Sequence, residues 1–193
     1  MTRKINFLTA SFLIFGVSAT LFFSSCSNVS RHPNQVKYLD SLTTQLQQTQ
    51  VNLQKIDTAK VRVDYNTLRK NLFILQQTYK DTMDSPTAVF LSGYRVIGRT
   101  FELFLVRDTL LQHQITKSIT QLKSLSHDVQ HNLIEENKVQ KYCADECMNA
   151  TELLQSASVS ITNMNQNLPM FDLQNPKVEE IIKKHSSALN SKK

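Results

Sequence analysis

The chain has 193 residues and a net charge of +6, enough for one ordinary domain and short for two. It holds 3 Gly, 4 Pro and no Trp, too few glycines for the turns of a β-sandwich or the phosphate loops of a dinucleotide fold. Charged residues make up 20% and hydrophobic ones 40%, which excludes a disordered tail and a multi-span membrane protein and leaves an all-α domain.

Arg3 and Lys4 open the chain, and no acidic residue precedes Asp40. Phe7 to Phe23 is mostly apolar, and Phe23-Ser24-Ser25-Cys26 follows it. A basic start, an apolar run and small residues before a cut describe a secretory signal peptide. The last four residues resemble a bacterial lipobox, although Phe23 stands where Leu is usual. That resemblance implies cleavage just before Cys26, whose thiol then carries diacylglycerol and acyl chains. Small side chains at Ser24 and Ser25 suit a peptidase that must bind extended backbone. Two alternatives remain, an uncleaved transmembrane anchor and an ordinary signal peptide with an incidental cysteine. The apolar run is slightly short of the ~20 residues that a spanning helix needs. Residues 1–25 are therefore read as signal peptide and 26–35, polar and containing Pro33, as a lipidated tether. Each buried CH₂ contributes ~0.8 kcal/mol, so the two or three chains of such a lipid hold a protein stably on a membrane.

Residues 36–168 carry helical periodicity. Leu39, Leu42, Leu46, Leu53 and Ile56 form one stripe, which shifts by a residue to Val61, Tyr65, Leu68, Leu72, Leu75 and Tyr79. Nothing between 36 and 84 is Gly or Pro, so a single helix of about 48 residues, ~72 Å long, is predicted, the shift relaxing its supercoil. Ser85 and Pro86 supply an N-cap and a first helical residue for a second helix of about 46 residues. Gly93 and Gly98 within it suggest close approach of a neighbour. A loop is expected near 132–136, where no apolar face exists. The strongest stripe follows, Cys143, Cys147, Ala150, Leu154, Ala157, Ile161, Met164 and Leu168, ended by Pro169. Val178, Ile181, Ile182 and Leu189 outline a short fourth helix within 169–193, which ends in a basic tail. Short connections favour antiparallel neighbours. The predicted architecture is an elongated antiparallel three-helix bundle, coiled-coil-like, with a short C-terminal helix covering one end.

Four constellations could carry chemistry. Cys26 is the lipid attachment site. Cys143 and Cys147 lie i, i+4, with Cα atoms ~6 Å apart. Three readings compete for them, namely small core residues, an intrahelical or intermolecular disulfide in an exported compartment, and a redox or metal pair. His127 and His131 are also i, i+4, a spacing that can bind zinc, but a third ligand is lacking unless Glu135 joins. A solvated or partner-facing pair is the simpler reading. Arg95, Arg99 and Glu102 most simply pair charges along one helix, an anion site being the alternative. No Gly-x-Ser-x-Gly elbow or phosphate loop occurs, and the Met and Leu stripes read as core. No catalytic residue, cofactor or metal is assigned beyond the lipid on Cys26. The positive charge is diffuse, so nucleic acid is not an expected partner. Lys183, Lys184, Lys192 and Lys193 form either a solvated tail or a contact to anionic lipid.

Ile56-Asp57-Thr58-Ala59-Lys60-Val61, Tyr94-Arg95-x-x-Gly98-x-x-Phe101-x-x-Phe104, Gln121-Leu122-x-x-Leu125-x-His127-Asp128, and Tyr142 with Glu146 together resemble a group of helical lipoproteins from Bacteroidota. The resemblance implies an envelope location and no particular activity. Ser27-Asn28-Val29-Ser30 lacks the acidic residues that mark surface display in that phylum, which favours a periplasm-facing position. The expected role is a non-enzymatic, membrane-anchored scaffold with an envelope protein partner. Stripes this long could also be completed in trans, as a homo-oligomer. A holdase-type chaperone is the alternative, and a metal- or redox-dependent enzyme using the His or Cys pair is a weaker one.

Overall fold

The computed structural model describes residues 30–78 and 83–190, with side chains as far as 185. The signal peptide, Cys26 and Tyr79 lie outside them, as does the side chain of Leu189. The described residues form four helices, α1 (Pro33–Gln54), α2 (Thr58–Thr78), α3 (Ser85–Gln130) and α4 (Glu136–Asn190), and no strand. The all-α class stands, with boundaries that differ from the expected ones in three places.

The first difference is at the N-terminal rod, which is two helices and not one. Buried Leu39, Leu46 and Leu53 are spaced by seven, and so are Val61, Leu68 and Leu75, but eight residues separate Leu53 from Val61. One residue too many would rotate the second row off the core by about 100°. The helix stops instead at Lys55–Asp57 and restarts in phase. Asp57 caps the restart, accepting from the amide of Lys60 at 2.9 Å, while Ile56 is buried in the break. The predicted supercoil relaxation is thus replaced by a capped turn. Pro33 also begins α1 three residues early, within the stretch expected to be tether.

The second difference is minor. Asp84, and not Ser85, caps α3, accepting from the Thr87 amide at 2.9 Å, with Pro86 in the first turn. The 46-residue length of α3 matches the expectation. So does the break after it. His131 caps the C-terminus, Asn132 takes a left-handed φ of 54°, and the amides of Asn132 and Leu133 bond back to Val129 (3.2 Å) and Asp128 (2.8 Å). This is the Schellman arrangement, which Asn tolerates better than any β-branched residue. Leu133 is 66% exposed at this turn, and Val139 takes up the core row after it.

The third difference is the largest. The expected helix end at Pro169 and the separate short helix do not exist, since α4 runs 55 residues, ~82 Å, through Pro169 and Pro176. A proline inside a helix costs ~3 kcal/mol by removing a donor and crowding the preceding turn. Burying a Phe or Val side chain contributes ~1.5–3 kcal/mol. Cys143, Ala150, Ala157, Met164, Phe171 and Val178 are all buried at an unbroken spacing of seven, so packing beyond each proline offsets its cost.

Pairings along the helices give their directions. Ser126 donates to Asp40 at 2.6 Å, Gln50 to Thr116 at 2.8 Å, and Gly98 faces Leu68, so α3 runs antiparallel to α1 and α2. Phe171 of α4 lies against Tyr94 and Phe101 of α3, with centroids 6.1 and 5.7 Å apart, while Glu136 at the start of α4 meets His32 at 3.0 Å. α1 and α2 both pack on α3 and α4 and not on each other. A Cβ on Gly98 would lie 2.5 Å from Leu68 Cδ2, so close approach holds there; at Gly93 the nearest atom is 4.0 Å away and it does not.

A polar junction crosses the apolar core near one end. Tyr94, wholly buried, donates to Asn175 Oδ1 at 2.6 Å, and Asn71 donates to the same oxygen at 3.0 Å, which ties α2, α3 and α4 together. Burial pushes the Tyr94 hydroxyl up to about 12, the bond from Asn71 opposing. The folded state therefore holds this proton more tightly than the unfolded chain, whose value is near 10.0. Its contribution to stability is complete below pH 10 and is lost as pH rises through 12. In urea titrations at stepped pH, Tyr94→Phe is expected to remove this part of the alkaline loss. Phe171→Ala is expected to cost about 3–5 kcal/mol in the same assay. Hydrogen exchange should then show amides of 169–185 losing protection while those of 139–164 keep it.

Candidate functional site

Four helices as long as these leave outer seams, and the side chains at the seams are the candidates for function. Each constellation expected from the sequence has a definite place.

His127 and His131 lie on one face of α3 at its C-terminal end, ring centroids 4.2 Å apart. His131 Nδ1 donates to the His127 carbonyl at 2.8 Å, and His127 Nδ1 lies 3.2 Å from Asp128 Oδ1. Glu135 does not extend the row, because it sits in the turn and pairs with Lys138 at 3.0 Å. No group of three metal-ligating side chains occurs among the described residues. The arrangement is that of a helix C-terminus closed by an imidazole.

Cys143 and Cys147 are free thiols, the first buried and the second half-buried against the core. No intrahelical disulfide joins them. Burial pushes both thiols up, and for Cys147 the neighbouring Cys143 and Glu146 add to the shift. A reactive thiol needs the opposite, since the thiolate is the nucleophile and the ligand. The geometry is that of two small core residues where α4 begins its apolar row.

Arg95, Arg99 and Glu102 are exposed, and no ion pair joins them among the described residues. Glu102 instead faces α2 across a shallow cleft holding Arg62, Tyr65 and Arg69, with the Arg69 guanidinium 5.7 Å from the Tyr65 ring centre. Burial, and then the Glu102 charge, push the Tyr65 hydroxyl up. The strongest ion pairing lies elsewhere, where Lys60 spans Asp64 (2.6 Å) and Asp172 (3.1 Å) and links α2 to α4.

The feature that pattern-reading missed is the seam between α3 and α4. It opens into a groove of about 560 Å³ walled by Leu103 and Leu110 on one side and Val159 on the other, with Phe104, Leu111 and Met164 beneath. Val89 and Val96 continue the Leu103–Leu110 row at a spacing of seven, 70% and 60% exposed. Closer to the α3–α4 turn the same seam holds a second depression of about 420 Å³, lined by Asp128, Tyr142, Asp145 and Glu146. The signal was present in the sequence, where 86–106 is apolar on more than one face. Only the position of α4 shows which of those faces stays open.

No helix among the described residues is long and apolar enough to cross a membrane. No family model, curated protein or solved structure matches the chain.

Two measurements check the chemical assignments. A thiol reagent should modify Cys143 and Cys147 far more slowly in the native protein than in denaturant. Zinc titration followed by calorimetry should give no stoichiometric binding that His131→Ala removes.

Proposed function

We propose that the protein is a non-enzymatic lipoprotein of the bacterial cell envelope, held on a membrane through lipid on Cys26 and acting as an elongated interaction scaffold. Its expected form is the three-rod bundle, with α1 and α2 sharing one rod. The observation that carries the reading is the way the N-terminal segment enters the fold. Ser30 donates to the Val129 carbonyl at 3.3 Å, the Arg31 amide to Asn132 at 3.1 Å, and His32 meets Glu136. Only three residues separate Cys26 from Ser30, four steps of chain and a reach of ~14 Å at most. A lipid on Cys26 would therefore sit beneath the α3–α4 turn, here called the base, and the Asp84 end would project ~70 Å away along the 46 residues of α3. The Bacteroidota resemblance and the absence of acidic residues at 27–30 support a periplasm-facing position.

The exposed apolar rows of α3 also suit a holdase, which would shield unfolded clients. That reading requires suppression of aggregation of a denatured outer-membrane protein at equimolar ratio. The scaffold reading expects none.

Labelling with a lipid precursor in cells should tag the wild-type chain. Cys26→Ala should abolish the label and release the protein from the membrane fraction. Crosslinking in intact cells should then join the anchored chain to a specific envelope partner.

A further inference from the structure

We propose that the α3–α4 groove is the docking site for an amphipathic helix of a partner protein, apolar where it meets the distal half of the groove and basic where it meets the half near the base. This rests on the scaffold reading and adds to it a surface and a chemical class of partner.

The distal half has the geometry of an incomplete helix–helix seam. Val89, Val96, Leu103 and Leu110 repeat at seven on the outer flank of α3, a line ~32 Å long. A row at that spacing on an α-helix receives the side chains of another helix lying along it. Single exposed apolar residues need no partner, whereas a continuous apolar line leading into a groove marks an interaction surface. Leu110 is 59% and Val159 is 54% exposed, and the space between their walls has room for several side chains.

Charge selects the occupant. The half near the base is lined by Asp128, Asp145 and Glu146, while Arg107 lines the distal half. Lys117 continues the Leu110 row one heptad on, between the two halves. A partner helix with basic residues over the acids and an apolar line over Leu103, Leu110 and Val159 satisfies both halves at once. A second copy of this chain does not satisfy both. A two-fold axis along the bundle would set the three acids against their own copies; a two-fold across it would either lay each apolar half on the other copy's acids or, centred on the apolar half, leave the acids without a partner. Like charges brought together in this way disfavour association.

The test uses the purified full chain and two synthetic helical peptides of about 28 residues. Both carry Leu at heptad positions through one half. In the other half one is flanked by Lys and its control by Glu. Fluorescence anisotropy should show the Lys peptide binding at least about tenfold more tightly than the Glu peptide. Leu110→Asp with Val159→Asp should weaken the Lys peptide by about tenfold or more, and Asp145→Lys with Glu146→Lys should reverse the preference between peptides. Leu110, Asp145 and Val159 are exposed and Glu146 is half-buried, and circular dichroism checks that the variants stay helical. Equal binding of the two peptides, or binding that survives Leu110→Asp with Val159→Asp, overturns the proposal. So does dimerisation of the chain, seen by sedimentation, that Leu110→Asp abolishes. In cells, photo-crosslinkers at Leu103 and Val159 should capture a partner through a helical segment rich in Lys or Arg. Capture only from Val63 and Phe73 on α2 overturns the groove assignment and leaves the scaffold reading standing. Capture from no position removes both.

Discussion

Three facing sets of core seats, each repeating every seven residues, hold this protein together. Tyr94, Phe101, Asp108, Ile115, Leu122 and Val129 form the set on α3, and Cys143, Ala150, Ala157, Met164, Phe171 and Val178 the set on α4. The third is divided between α1 and α2. Helices with so narrow an apolar stripe owe their stability to packing more than to propensity. Whatever keeps the seats in phase keeps the helix. The rod breaks at residues 55–57 because the phase slips by one residue there, although neither Gly nor Pro interrupts the region. α4 persists through Pro169 and Pro176 because the phase is maintained from Met164 to Val178, although the local signal is to stop.

Polar groups inside these rows act against slippage. Asp108 occupies a core seat of α3, and Gln112 satisfies its carboxylate at 2.9 and 3.0 Å. Gln50 with Thr116 on one side and Leu68 with Gly98 on the other bracket it, so it faces the interruption between α1 and α2. A charged seat where no continuous apolar row arrives is less costly than one midway along a rod. The Asn71–Tyr94–Asn175 junction serves α4 in the same way. Moving α4 by one residue along α3 would take the Asn175 oxygen away from two buried donors, Tyr94 and Asn71, at about 1–3 kcal/mol each.

The two ends of the molecule differ, and the proposed function draws on that difference. At the base, residues 30–32 are bonded to the α3–α4 turn. Further along, the seam between α3 and α4 changes from acidic to apolar. If the proposed attachment at the base holds, a rod carrying a graded groove would present one surface at a set height above a membrane. Neither the His pair nor the Cys pair departs from what packing and helix termination require.

Much of this was legible in the residues themselves. The all-helical class, the extent of α3 and the turn after it followed from periodicity, Pro86 and the loss of an apolar face near 132–136, because these signals act within a few residues of where they stand. The stripe from Cys143 to Leu168 was equally plain. What depended on tertiary structure was the fate of the exceptions. A one-residue slip ends a helix only if a facing row punishes the wrong phase, and a proline is tolerated only if side chains beyond it find a partner. Both conditions involve residues a hundred positions away, as Lys60 with Asp172 and Asn71 with Asn175 illustrate. The groove belongs to the same class. Val89, Val96 and Leu103 lie in the most apolar stretch of the described chain, and only the placement of α4 beside that row shows that they stay exposed, with Leu110, along the open seam.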